Sequence, residues 1–384
     1  LLKDNINFGG LPTTAGSFLL KDNIAEDSFV VKKLKESGAI VLGKTNLSEW
    51  AYYFCKGCPL GYSAIGGQTL NPYGRKVFES GGSSSGSGVA ISANFSSISL
   101  GSETSGSIIS PSSLNSIVGL KPTIGLVSRT GIVPISSTLD TAGPMTKNVI
   151  DNAIVFNSIM GYDNEDDYSK ERIIIDYEKI SNSTIKGKKL GVFKGLLDEP
   201  LYKKAIADIQ NAGGVIIEFD PPKIDFSGFI KILDVDMKNE LPKYLSKYSK
   251  SNSGLKNISD IINFNSMDSL KRSPYGQGIF EGIISNSTSI EEFELLKLRI
   301  KKESERYFYE AIQKYSLDAV LSINNYHAAY AAAAYYPCLT IPMGYRSSGE
   351  PTNLTFIGPS FSENKLYQLG FAFEKLTNRR IPPF

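Results

Sequence analysis

One histidine in 384 residues is the scarcity that constrains this chain most. A serine nucleophile needs a base, and with only His327 to offer an imidazole, lysine becomes the natural place to look. Cysteine is nearly absent as well. Three residues leave at least one unpaired, which argues against a disulfide framework and favours a reducing compartment, so a cytoplasmic protein is expected. Cys55-Lys56-Gly57-Cys58 has redox or half-zinc spacing, but only Cys338 and His327 remain to complete a zinc site. The pair is therefore read as structural, with no metal expected. No apolar run reaches the roughly 18 residues of a membrane helix, so no membrane partner is expected. Neither sign of charge is in marked excess: 41 Lys and Arg against 39 Asp and Glu are interspersed, with no basic stripe for nucleic acid. Small substrates are the default. Neither a Met nor an apolar signal opens the chain at Leu1-Leu2-Lys3, which reads as a fragment whose true N-terminus lies upstream.

What is present is an ordinary globular composition, 41% hydrophobic and 21% charged, with length for one large or two medium domains. Two segments repeat an α/β grammar of amphipathic helix, glycine stop and apolar strand. The first runs from Asp27-Ser28 to Gly38 and then Ala39-Ile40-Val41-Leu42. The second runs from Ala205 to Ala212, then Gly213-Gly214 and Val215-Ile216-Ile217. Further strands are expected at 189–193, 117–120 and 339–342. A long helix from Ser289 to about Tyr315 opens on a capping box with Glu292. Residues 220–290 are richer in Asn, Ser, Lys and Asp, and read as a peripheral, partly helical insertion that shapes specificity.

The chemistry lies in two small-residue loops, Gly81-Gly82-Ser83-Ser84-Ser85-Gly86 and Thr104-Ser105-Gly106-Ser107, with Ser83 and Ser107 24 positions apart. A flexible linker is the bland reading of the first, but Val89-Ala90-Ile91-Ser92-Ala93 continues it as an apolar, helix-compatible segment. A phosphate loop would need a Gly-Lys-Ser/Thr ending, which is missing. In the second loop, successive small residues before a serine let backbone N–H groups converge on an oxyanion.

These loops, with Gly119-Leu120-Lys121-Pro122-Thr123, Thr138-Leu139-Asp140-Thr141-Ala142-Gly143-Pro144-Met145, Gly43-Lys44-Thr45-Asn46-Leu47-Ser48-Glu49-Trp50 and Pro337 to Gly344, resemble the amidase signature family, bacterial peptide amidases in particular. The resemblance implies one amidase domain over 1–384, an α/β fold with a mixed β-sheet sandwiched between helices, and no cofactor. The family's helices before the lysine are not in this chain. It implies an amidohydrolase that cleaves a carboxamide C–N bond, including a peptide C-terminal amide, through a serine acyl-enzyme with release of ammonia. Position by position, the nucleophile falls on Ser107, the bridging cis-peptide serine on Ser83, the base on Lys3, and the oxyanion donors on the N–H groups of Thr104, Ser105, Gly106 and Ser107. A buried, desolvated Lys3 would hold the neutral amine a base requires, and Ser83 would relay the proton.

Lys21 and Lys44 compete as bases. Lys21 stands in a copy of the hexapeptide Leu-Leu-Lys-Asp-Asn-Ile, but only Lys3 precedes Thr14-Ala15-Gly16-Ser17 as the family base does. The chain departs from the common pattern at Glu103 (usually Asp), Ser105 (usually Gly) and Ile109 (usually Arg), which bears on substrate choice. His327 has no Gly-x-Ser-x-Gly elbow before it and reads as a surface or pocket-wall residue. Two alternatives remain: the amidase subunit of a glutamine-dependent tRNA amidotransferase, or a non-catalytic binding member of the family. A monomer or homodimer acting on a small-molecule or peptide amide is expected.

Overall fold

The computed structural model describes residues 1–249 and 256–383. Among the described residues twelve strands form: β1 (Leu2–Lys3), β2 (Lys44–Thr45), β3 (Tyr62–Ser63), β4 (Gly67–Gln68), β5 (Ile98–Glu103), β6 (Val118–Lys121), β7 (Thr141–Thr146), β8 (Lys189–Phe193), β9 (Val215–Phe219), β10 (Ala319–Ile323), β11 (Cys338–Tyr345) and β12 (Pro351–Ile357). Ten of them make one sheet in the order β2-β1-β5-β7-β6-β11-β12-β10-β8-β9, while β3 and β4 pair separately. Pairing is mixed. Strands β2, β1 and β5 run parallel at one side and β10, β8 and β9 at the other, with antiparallel neighbours between.

Strand parity explains the layers. Leu321 and Ile323 on β10, Leu339 and Ile341 on β11, and Leu354 and Phe356 on β12 face one core, shared with helices Val149–Ile159 and Glu363–Thr377. The intervening Val320, Cys338 and Ile357 face the other core, under Phe308 and Ile312 of helix Ile290–Tyr315. A sheet covered on both faces needs apolar residues at successive positions, which is why these strands read as continuous apolar runs.

The expected strands at 117–120, 189–193, 215–217 and 339–342 form, with small changes of boundary. The Ser289 side chain accepts from the Glu292 N–H at 3.1 Å, starting the long helix. Ala39 to Leu42 does not form a strand. Ile40 and Leu42 are 84% and 66% exposed, and the sheet edge forms instead at β2, where Lys44 pairs with Leu2. Within 220–290 the structure is more helical than its composition suggests, with helices Phe229–Tyr248, Ile258–Ser266 and Gly278–Ser285. These pack a separate apolar cluster with Trp50, Phe54 and Ile135. Cys55 and Cys58 form a local disulfide, and Cys338 is the buried free thiol. Among the described residues, no helix is long and apolar enough to cross a membrane.

Candidate active site

Parallel pairing of β1 with β5, in the register Leu2 to Leu100, brings Lys3 beside Ser102. The Lys3 side chain is fully buried, and its Nζ lies 2.7 Å from Ser83 Oγ, 2.9 Å from Ser102 Oγ and 3.1 Å from the Ser102 carbonyl. Asn5 Nδ2 also donates to Ser102 Oγ, at 2.9 Å. Three neighbours suit a neutral amine well. Its two N–H groups can donate to the two Ser102 oxygens, which leaves its lone pair to accept from the Ser83 hydroxyl. Desolvation lowers the Lys3 pKa to about 7, against the opposing pull of the Asp140 and Glu103 charges.

Neither rival lysine bonds to Ser83. Lys21 is exposed and lies 3.7 Å from Asp22. Lys44 is largely buried, which lowers its pKa to about 8, but its ammonium lies 3.4 Å from Asp4 and donates to Thr13 Oγ1 at 2.9 Å.

The peptide between Gly82 and Ser83 is cis, in the loop that leads into helix Ser85–Ser92. Gly81 allows the close approach: it sits at φ +68°, and a Cβ there would come within 2.7 Å of the Pro111 backbone. The Ser84 N–H donates to the Ser107 carbonyl at 3.1 Å, so the two loops are tied beside Ser83 and Ser107.

Ser107 ends the turn between β5 and helix Ile109–Leu114. Glu103 shapes that turn from below: its Oε2 accepts the N–H groups of Ile108 at 2.7 Å and Ile109 at 3.0 Å. Burial raises the Glu103 pKa, with the Lys121 ammonium as the main opposing influence. Among the described residues, the N–H groups of Thr104, Ser105 and Ser107 donate to no protein acceptor, whereas Gly106's interacts with the Glu103 carboxylate. Unpaired N–H groups in a tight turn are what a developing oxyanion would use. Gly106, at φ +111°, lies against Asn325 and Ala328.

The Thr104 hydroxyl donates to Asp140, which burial pushes up to about 6. A cavity of about 310 Å³ opens beside Asn5, Ser102 and Thr104 and is walled further out by Arg129, Tyr168 and Tyr244; Ser83 and Ser107 are not in its wall. His327 turns elsewhere. Its Nδ1 lies 2.6 Å from Ser322 Oγ, its ring stacks on Phe193 at 4.0 Å, and burial lowers it to about 4.

Sequence reasoning misses Ser102 as a lysine partner because every residue from 99 to 103 on β5 is buried, so no alternation marks it. Asp140 stands in the 138–145 motif with no role legible there, since its partners are 36 positions away or in backbone.

The family model for amidases matches residues 1–329. The Arabidopsis thaliana protein named Probable amidase is 37% identical over 399 residues, covering all of this chain and 77% of its own length. The native peptide amidase from Stenotrophomonas maltophilia superposes with a TM-score of 0.92 at 34% identity, over all of this chain and 83% of that one. A glutamyl-tRNA(Gln) amidotransferase subunit from Thermotoga maritima gives 0.74 at 26% identity, over all of this chain and 85% of that one.

Proposed function

This chain belongs to the amidase family and is a hydrolase acting on amides, and we propose that it cleaves a carboxamide, including the C-terminal amide of a peptide, through an acyl-enzyme on Ser107. Neutral Lys3 draws the proton of Ser83, which takes that of Ser107. The Ser107 oxygen attacks the amide carbon, and its charge passes to the carbonyl oxygen beside the Thr104 to Ser107 N–H groups. Collapse breaks the C–N bond as the relayed proton returns to the nitrogen, which leaves as ammonia. Water then attacks the ester by the same relay and frees the acid.

The observation that carries this reading is a fully buried Lys3 Nζ 2.7 Å from Ser83 Oγ, in a chain whose single histidine is bonded elsewhere. The helices within 220–290, which send Tyr244 into the cavity wall, are proposed to set acyl-group specificity. An enzyme acting alone, as monomer or homodimer, is better supported than a component of an amidotransferase. Structural similarity is greater to the peptide amidase, and Ile109 stands in place of the common Arg.

The test is ammonia release from a panel of N-blocked amino-acid and dipeptide amides, with fluorophosphonate labelling of the active serine. Ser107→Ala should abolish both while remaining folded. Turnover at the wild-type rate in that variant would overturn the assignment. A wild-type chain that labels with nothing and releases no ammonia would favour a binding role.

A further inference from the structure

A five-residue turn, Ile135 to Leu139, is held from two sides by two carboxylates. From the sheet side, Asp140 Oδ2 accepts the N–H groups of Ile135 at 2.8 Å and Ser136 at 2.9 Å. Its other oxygen takes the hydroxyl of Thr104, the first residue of the turn that ends at Ser107. From the helical side, Asp236 on helix Phe229–Tyr248 accepts the Ser136 hydroxyl, the Ser137 hydroxyl at 3.1 Å and the Thr138 N–H at 3.2 Å. Ser136 Oγ in turn accepts the N–H groups of Thr138 at 3.2 Å and Leu139 at 3.1 Å. Asp236 is only 3% exposed.

A buried carboxylate is costly to keep unless its oxygens are filled, and here each oxygen is filled by the same turn. The route is continuous: Asp236, the Ile135–Leu139 turn, Asp140, Thr104. Asp236 itself lies outside the wall of the cavity and reaches Thr104 only through the turn and Asp140.

We infer that Asp236 is a positioning residue for the oxyanion-binding turn, through which the helices over the site govern the rate of the chemical step as well as the shape of the pocket. The inference rests on the proposed role of the Thr104 to Ser107 N–H groups. Its physical basis is that oxyanion donors stabilise the transition state only when held in place beforehand, so loosening the turn lowers kcat more than it weakens binding.

The test uses Asp236→Asn, which keeps the shape but loses acceptor capacity, Thr104→Val, which cuts only the last link, and the double variant. Steady-state kinetics on an N-blocked dipeptide amide, fluorophosphonate labelling rates and thermal midpoints are measured for each. Each single change should lower kcat by about 10-fold or more with KM changed by less than about 3-fold. The double variant should lose little beyond the worse single, since both cut one chain of contacts. An Asp236→Asn enzyme with a lowered midpoint and unchanged kcat, or losses that multiply in the double variant, would overturn the role. Ser107→Ala run alongside separates this inference from the reading beneath it. Turnover that survives there overturns the serine mechanism itself, whereas an inert Ser107→Ala with kinetically indifferent Asp236 variants overturns only the positioning role.

Discussion

Titration through neutrality distinguishes the two possible bases by where the rate falls. Burial sets Lys3 at about 7, so about half of the amine is neutral at pH 7, against roughly one in 3000 for a lysine at its ordinary 10.5. Each further unit of acid removes about tenfold of the neutral form, and labelling by a fluorophosphonate at pH 5 should be about 1% of its alkaline plateau. A histidine base would behave differently. With His327 lowered to about 4, roughly nine-tenths of the plateau would survive at pH 5. Second-order labelling rates between about pH 3 and 9.5, with circular dichroism to confirm folding at each pH, should show the inflection near 7 in wild type and in His327→Ala. Lys3→Ala should label at a small residual rate throughout. An inflection near 4 that disappears in His327→Ala and persists in Lys3→Ala would refute the reasoning and return the protein to Ser/His chemistry.

Ser83→Ala should lose several orders of magnitude in kcat with a smaller change in KM, since a proton relay belongs to the transition state; a loss confined to KM would count against it. His327→Ala should keep most activity yet lose roughly 2–4 kcal/mol in denaturant unfolding, because it empties a stacked site against Phe193. Asp140→Asn should move the acid limb of the labelling profile to lower pH, because the Asp140 charge raises the Lys3 pKa; an upward move would contradict the geometry. Stability should carry opposite slopes in two windows. Between about 7 and 10.5 the unfolded chain holds the Lys3 proton that the folded chain has released, so Lys3's contribution rises with pH. Between about 4 and 6 folded Asp140 holds a proton the unfolded chain has lost, so its contribution falls. Chemical denaturation of wild type and Lys3→Met across pH 6 to 10 checks the first slope, which the substitution should remove.

Much of this was legible where local chemistry decides local structure. Small residues marked both loops, Ser289 with Glu292 marked a helix start, and apolar runs marked the strands covered on both faces. What was illegible depends on distant partners. Ala39 to Leu42 has the composition of a strand, but the sheet accepts the chain two residues later because Leu2 pairs with Lys44. Asp236 sits in a helix of mixed polarity, and nothing within a few residues of it says that its carboxylate faces a turn about 100 positions earlier. The same holds for Ser102. In 220–290 the polar residues masked helices whose apolar sides are matched by Trp50 and Phe54, far back in the chain.

The two-residue strand β1 lies between β2 and β5, so the lysine it carries is buried only when segments about 40 and 100 residues later have joined it. Until then its amine is an ordinary cation in water, and a protonated lysine draws no proton from serine. In the proposed mechanism, Ser107 would therefore gain its base only when the fold is complete. On that reading a nascent or partly opened chain would carry Lys3, Ser83 and Ser107 and yet lack the neutral amine that the proposed relay needs.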